Sequence, residues 1–154
     1  LQAALTTAAD DADVVIMAAA VADYRPAKAA THKLKRAELG GKTELALVAN
    51  PDLLAELGKR RGARRSPLLV GFAAETRDVV ANAQAKLAAK RCDLVVANDV
   101  SEPGAGFAVD TNRVTVVDRS GATELPAGTK PEVAHRILDR IVAFAAPPAK
   151  RGAR

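Results

Sequence analysis

The side chains able to do chemistry in this 154-residue chain gather at a few junctions. Asp23, Asp52, Glu75 and Asp99 each stand where an apolar run ends or a helix begins. Lys33, Lys35 and Arg36 form a basic cluster in a polar connection, and Lys86 and Lys90 are four apart, which puts both on one helix face. Ammonium groups and the free N–H groups of a helix N-terminus suit an anion, and together with the carboxylates they make a polar cleft the default reading. Plainer readings stand beside these. A carboxylate at a helix start is commonly an N-cap, and a basic run in a connection is commonly a solvated face. Lys86 and Lys90 could hold a triphosphate or be surface lysines, and spacing alone leaves that open. The run Lys59-Arg60-Arg61-Gly62-Ala63-Arg64-Arg65 falls at a helix C-terminus, where cations complement the macrodipole, and is assigned no chemistry. His32 and His135 have no partner visible in sequence, and Cys92 reads as a core thiol.

The elements that would position these groups follow from periodicity. Leu1 to Asp11 reads as the end of an amphipathic helix. Val14 to Ala20 is a continuous apolar run rich in β-branched residues, the pattern of a central strand buried on both faces. Val21 to Gly41 reads as a long connection or flap. Thr43 to Val48 alternates as a half-exposed strand, and Asn50-Pro51-Asp52 opens a helix running to about Arg61. Buried strands are expected at Pro67 to Ala73 and at Asp93 to Asn98, with a helix from Val79 to Lys90 between them. Ser101 to Phe107 reads as a loop. Arg113 to Asp118 and Thr123 to Leu125 form a hairpin, and Lys130 to Ala146 is a closing helix with Val133, Ile137, Leu138 and Ile141 on its apolar face. The order implies an α/β fold, a Rossmann-like three-layer domain over residues 1–146 with a mainly parallel sheet and an antiparallel edge hairpin. Residues 147–154 read as a disordered basic tail. In such sheets ligands bind beyond the carboxyl ends of the strands, which selects Ala19 to Asp23, Asn50 to Asp52, Phe72 to Thr76 and Asn98-Asp99.

Composition excludes several classes. Apolar residues make up 49% and charged residues 27%, the balance of a single globular core. The longest apolar run, Val14 to Ala22, is far short of the roughly 18 to 20 residues that span a bilayer. A net charge of +5 could suggest nucleic acid, but 3% aromatics and no Trp leave no stacking platform, so neither nucleic acid nor membrane is expected as a partner. One cysteine and no Cys/His cluster point to a reducing, cytoplasmic setting without structural zinc. Tyr24-Arg25-Pro26-Ala27-Lys28 has the Tyr-x-x-x-Lys spacing of short-chain dehydrogenases, but Pro26 opposes the helix that this motif needs, and no glycine-rich loop precedes it.

Seven strings occur in order: Ala18 to Pro26, Lys33-Leu34-Lys35-Arg36, Asn50-Pro51-Asp52, Val70 to Thr76, Lys86-Leu87-x-x-Lys90, Asp93 to Asp99, and Phe107-x-x-Asp110-x-Asn112. Together, from about Asp13 to Ile141, they resemble phosphopantothenoylcysteine synthetase, the ligase part of the bacterial bifunctional coenzyme A biosynthesis flavoprotein. The resemblance implies CTP-dependent and Mg2+-dependent joining of 4′-phosphopantothenate to cysteine through an acyl-cytidylate. It implies that Ala18, Ala19 and Asp23 lie against the nucleotide and that Lys33 contacts the triphosphate and assists the chemistry. It further implies that Pro51, Asp52, Leu53, Leu54 and Phe72 frame the nucleotide pocket, and that Lys86 and Lys90 complete a phosphate clamp. Asp23 and Asp99 are candidates for the metal, whose ligand the resemblance leaves unassigned. A homodimer is implied, partly through edge strands near Phe107 to Val117.

The family begins this domain with a strand, a glycine-containing loop and a Ser-Asn-x-Ser-Ser-Gly-Lys segment, which these residues do not contain. The expectation is therefore an N-terminally truncated ligase domain, with FMN belonging only to an upstream decarboxylase domain. Such a piece would keep most nucleotide contacts without complete catalytic machinery. The alternative is a non-catalytic nucleotide-binding or dimerisation module.

Overall fold

The computed structural model describes residues 1–101 and 109–146. The expected tail at 147–154 and most of the expected loop, including Phe107, lie outside the described residues. The chain divides into two compact units, Leu1–Ala18 with Leu53–Arg154, and Ala19–Asp52.

The larger unit holds a five-stranded sheet in the order β1-β4-β5-β7-β8, formed by β1 (Val14–Met17), β4 (Leu68–Glu75), β5 (Leu94–Asp99), β7 (Val114–Asp118) and β8 (Gly121–Glu124). The pairs β1·β4 and β4·β5 are parallel, with Val14 beside Leu68 and Val70 beside Leu94. β7 runs antiparallel to β5 and turns back into β8, the expected edge hairpin. Helices cover both faces. On one, α3 (Leu53–Arg61) and α4 (Val79–Lys90) bury Leu54, Leu57, Ala83 and Leu87 against Leu69, Ala73, Val95 and Val117, beside the end of α1 (Gln2–Ala8). On the other, α5 (Lys130–Ala145) sets Val133, Ile137 and Ile141 against Val70, Leu94, Val96 and Val116. This is the Rossmann-like three-layer α/β architecture expected from sequence. Burial on both faces explains why β4 and β5 read as continuous apolar runs rather than alternating ones.

α5 starts on a capping box. The Thr129 hydroxyl accepts from the Glu132 backbone N–H, and Glu132 accepts from the Thr129 N–H at 2.8 Å. α3 and α4 approach closely where Gly58 faces the end of α4, since a Cβ at Gly58 would lie 2.1 Å from the Lys90 carbonyl oxygen. A further link is buried. Arg61, at the end of α3, donates to Pro67 O at 3.0 Å and to Arg91 O at 2.7 Å and pairs with Asp93, whose Oδ2 also accepts from the Leu69 N–H at 2.8 Å.

The smaller unit carries β2 (Tyr24–Pro26), antiparallel to β3 (Leu47–Ala49), and a short helix α2 (Arg36–Leu39). β6 (Thr111–Asn112) and β9 (Gly128–Thr129) form a separate two-stranded ladder in the larger unit.

Four expectations are corrected. The Val14 to Ala20 run stops being strand at Met17, and β1 is the outer strand of the described sheet rather than a central one. β1 pairs only with β4, and Ile16 is 39% exposed. The Thr43 to Val48 strand shrinks to Leu47–Ala49 and pairs with β2 within the flap, where its apolar side chains are exposed. Leu138 lies off the buried stripe of α5 at 46% exposure, because its 3.6-residue phase turns it away from Ile137 and Ile141. The segment near Phe107 to Val117 was expected to supply edge strands. Within it β6 is one strand of a two-stranded ladder and so does have an open edge, whereas β7 is an inner strand, hydrogen-bonded to β5 and β8.

Candidate functional site

The parallel strands β1, β4 and β5 all end at one edge of the sheet, and each end carries a residue singled out in sequence. Ala18 follows β1 directly. Glu75 and Asp99 close β4 and β5 and are register partners, so the sheet brings two of the four junction carboxylates side by side. Asp99 Oδ1 accepts from both the backbone N–H and the hydroxyl of Ser101, at 2.9 and 2.5 Å, which ties down the turn after β5. A small cleft of about 170 Å³ opens beside Asp99, lined also by Val79, Ala97, Arg113, Thr115 and Glu124.

α4 supplies the cation. It packs back along β4 and β5, and residue 86 leans toward its N-terminal end, as helical side chains do. Lys86 Nζ donates to Phe72 O at 3.4 Å and lies 3.9 Å from Glu75 Oε1. The other oxygen of Glu75 accepts from Asn82 Nδ2 at 3.0 Å, and that amide also donates to Arg77 O. Lys86 is thus a partly covered ammonium at the strand end, its side chain 26% exposed, opposed by one carboxylate. Lys90 lies one helical turn further on, about 6 Å toward the amino end of the sheet, beside the close approach to Gly58. Phe72 is half-buried against the α5 face of the core. Leu53 and Leu54 are buried, Leu54 against Gly71, so only their backbone could face a ligand.

The smaller unit holds Ala19, Asp23, Lys33, Pro51 and Asp52. Here the chain makes a compact knot at Asn50. Its backbone N–H donates to Asp23 O at 2.7 Å and its Nδ2 donates to Ala22 O at 2.7 Å. Its Oδ1 accepts from Arg25 Nη1 at 2.9 Å, and the same Nη1 reaches Ala49 O at 3.0 Å. Asp23 and the Pro51-Asp52 segment are therefore held together at the end of the β2·β3 ladder, whose outermost pair is Tyr24 with Ala49. Lys33 is exposed in the connection between β2 and α2. Tyr24–Pro26 is strand, not helix, which removes the dehydrogenase spacing from consideration.

Sequence reasoning passed over two partnerships. Asn50 falls in the Asn50 to Asp52 stretch selected as a strand-end junction and helix opening, but its own side chain was given no role, although an asparagine before proline at a strand end has both a donor and an acceptor for such a knot. Asn82, one turn before Lys86 on α4, carried no signal until Glu75 was placed opposite it. Among the described residues, no group of three or more His, Cys, Asp or Glu side chains could hold a metal ion, and no helix is long and apolar enough to cross a membrane.

Residues 1–144 match the model of the DNA/pantothenate metabolism flavoprotein C-terminal domain. The coenzyme A biosynthesis bifunctional protein CoaBC of Bacillus subtilis is 45% identical over 145 residues, 94% of this chain and 34% of that protein. The protein of the same name from Mycobacterium bovis is 44% identical over 151 residues, 93% of this chain and 36% of that protein. The chain thus spans about a third of the length of these relatives. A crystal structure of the C-terminal domain of CoaBC superposes with a TM-score of 0.69 at 35% identity, covering 93% of this chain and 60% of that one. On the family match, which takes in every strand and nearly all of the closing helix, the chain belongs to the DNA/pantothenate metabolism flavoprotein C-terminal domain family.

Proposed function

We propose that residues 1–146 form the C-terminal part of a phosphopantothenate–cysteine ligase domain that binds CTP and serves coenzyme A biosynthesis in the cytoplasm. The observation that carries this reading is the Lys86 ammonium held at the carboxyl ends of β4 and β5, where a phosphate-bearing ligand of such a sheet would lie. Two CoaBC proteins at 44 and 45% identity support the assignment to this pathway.

In the proposed reaction the 4′-phosphopantothenate carboxylate attacks the α-phosphorus of CTP. A carboxyl oxygen to phosphorus bond forms as the bond to pyrophosphate breaks. The cysteine amine then attacks the acyl carbon, and CMP leaves with the electrons of the acyl oxygen bond. Negative charge grows on the phosphate oxygens and on the leaving pyrophosphate, so positioned ammonium groups favour the transition state over the ground state. Lys86 and Lys90 are assigned to the phosphates. Lys33, on the long connection, is assigned to the triphosphate and the chemistry, where a closing flap would exclude water from the acyl-cytidylate. Ala18, Ala19, Asp23, Pro51, Asp52, Leu53, Leu54 and Phe72 are assigned to the nucleotide pocket. Magnesium commonly binds through one or two carboxylates together with substrate phosphates, and Asp23 and Asp99 are the candidates for that role. Bound there, the ion would neutralise phosphate charge. A homodimer remains part of the proposal.

The test is calorimetric titration of the chain with CTP and with ATP, each with magnesium. Saturable binding that prefers CTP is expected. Lys86→Ala should weaken it by about 10- to 100-fold, the loss of one charge-assisted contact, and Lys33→Ala should weaken it as well. Equal affinity in the Lys86→Ala variant would refute the clamp, and ATP binding as tightly as CTP would refute the cytidine preference.

A further inference from the structure

We propose that Asn50, braced by Arg25, is the positioning residue that sets Asp23 and the Pro51-Asp52 segment in the arrangement a nucleotide meets. This inference rests on the nucleotide reading above and adds to it two residues that do not themselves touch the ligand.

The argument begins with the length of the ladder. β2 and β3 share only three register pairs, and their side chains are exposed, so hydrophobic burial contributes little to holding them. Short two-stranded pairs of this kind are marginal in water without further ties. Asn50 supplies those ties at the end that carries the assigned residues. It is bound to two consecutive carbonyls, of Ala22 and Asp23, both at 2.7 Å. Fixing two adjacent peptide planes fixes the backbone from which the Asp23 side chain projects. The same residue precedes Pro51, whose ring fixes its own φ and restricts Asn50 to extended conformations. Position 50 thus joins the two segments directly.

Arg25 selects the orientation of the amide. Its Nη1 lies 2.9 Å from Asn50 Oδ1, so the oxygen must face Arg25 and the NH₂ must face Ala22 O, at 2.7 Å. Only a side chain with an acceptor on one side and a donor on the other satisfies both partners. Aspartate keeps the Arg25 contact and places a carboxylate oxygen against a carbonyl. Alanine keeps neither.

The experiment is CTP titration of the parent chain and of Asn50→Ala, Asn50→Asp and Arg25→Lys, with Lys33→Ala as a direct-contact control. Each titration is run at two salt concentrations beside a thermal unfolding scan. Loss of the knot should raise the Kd for CTP about tenfold in both Asn50 variants, as expected for one or two net hydrogen bonds. Arg25→Lys should give a smaller rise, because the ammonium keeps donors for both acceptors but sits on a shorter, more flexible stem than the planar guanidinium. The salt dependence should stay that of the parent in Asn50→Ala and Arg25→Lys, which keep the charge and lose no phosphate contact, whereas Lys33→Ala should flatten it. Tm should stay within about 2 °C of the parent, because the knot lies outside the buried core. A purely structural role would lower Tm and leave the affinity of the folded protein unchanged. Should the Asn50 variants fail to fold, Arg25→Lys carries the same comparison.

Asn50 variants that bind CTP like the parent, while Lys33→Ala does not, overturn the positioning role and leave the nucleotide reading standing. A parent chain with no saturable CTP binding overturns the nucleotide reading and this inference with it.

Discussion

Replacing Arg61 with methionine should remove about 3 to 5 kcal/mol of stability, the usual cost of stripping one partner from a buried ion pair. The magnitude follows from what the guanidinium holds. Arg61 is 6% exposed, and it joins the end of α3 to Pro67 O, Arg91 O and the Asp93 carboxylate. Methionine fills most of the volume of the arginine stem, so little of the cost is cavity, and nearly all of it is desolvated polar groups left without partners. Asp93 would keep only the Leu69 N–H among these contacts. Near Tm the loss corresponds to about 8 to 16 °C for a chain of this length. The assay is a double-mutant cycle in urea with Arg61→Met, Asp93→Asn and the pair, at constant pH and salt. A coupling of about 1 to 3 kcal/mol is expected. If Arg61→Met costs under about 1 kcal/mol and the cycle closes to zero, then Arg61 is an ordinary helix-terminal cation, and the tie it makes between α3 and the starts of β4 and β5 is not what fixes those elements.

Gly58→Ala should destabilise by about 1 to 2 kcal/mol despite a helix-propensity gain near 1 kcal/mol, because the new methyl would overlap the Lys90 backbone oxygen and force α3 from α4; stability equal to or above the parent in urea would refute it. Asp118→Asn tests a pH dependence. Burial alone would raise the Asp118 carboxyl, but hydrogen bonds from the Ser120 hydroxyl and backbone N–H, with the Arg140 guanidinium at 2.7 Å, outweigh it and hold the group below its usual range. A depressed folded-state pKa contributes stability above the unfolded value, about 3.9 for aspartate, and that contribution is lost as pH falls through the folded value. The destabilisation by Asp118→Asn should therefore be full at neutral pH and shrink below about pH 4. A difference that stays constant down to pH 2 in denaturant titrations would count against that carboxylate.

How far the sequence carried the reading depends on whether an element's determinants are local. α4 and α5 were legible to within a residue or two because their starts carry their own signals. For α5 these are the Thr129 and Glu132 capping box and Pro131, and for α4 the turn residues ahead of Val79. β4 and β5 were legible because burial on both faces leaves an unbroken apolar run. The same rule misjudged β1, whose run reads like theirs. Hydrophobicity records the wish to be covered but not which neighbour is present, and β1 is bonded on one side only. β3 failed for the opposite reason, since alternation over Thr43 to Val48 suggested a sheet face, while its partner is the flap strand β2.

The site shows the same division. Lys86 could be placed on a helix face from spacing, but its neighbour Glu75 is set by the register of β4 and by how α4 packs on it, which no window of sequence contains. Arg61 sat within a run of five basic residues that the macrodipole explains well enough. Only packing separates the one that is buried from Lys59 and Arg60, which stay exposed. Asn50 is the intermediate case. The Asn-Pro pair announces a turn, and the donor and acceptor on one short side chain announce that it can be tied. What it ties depends on Arg25 and Ala22, more than 20 residues earlier. Residues whose role is to hold others are thus the least visible in a single chain, because their chemistry is ordinary and only their partners make them specific.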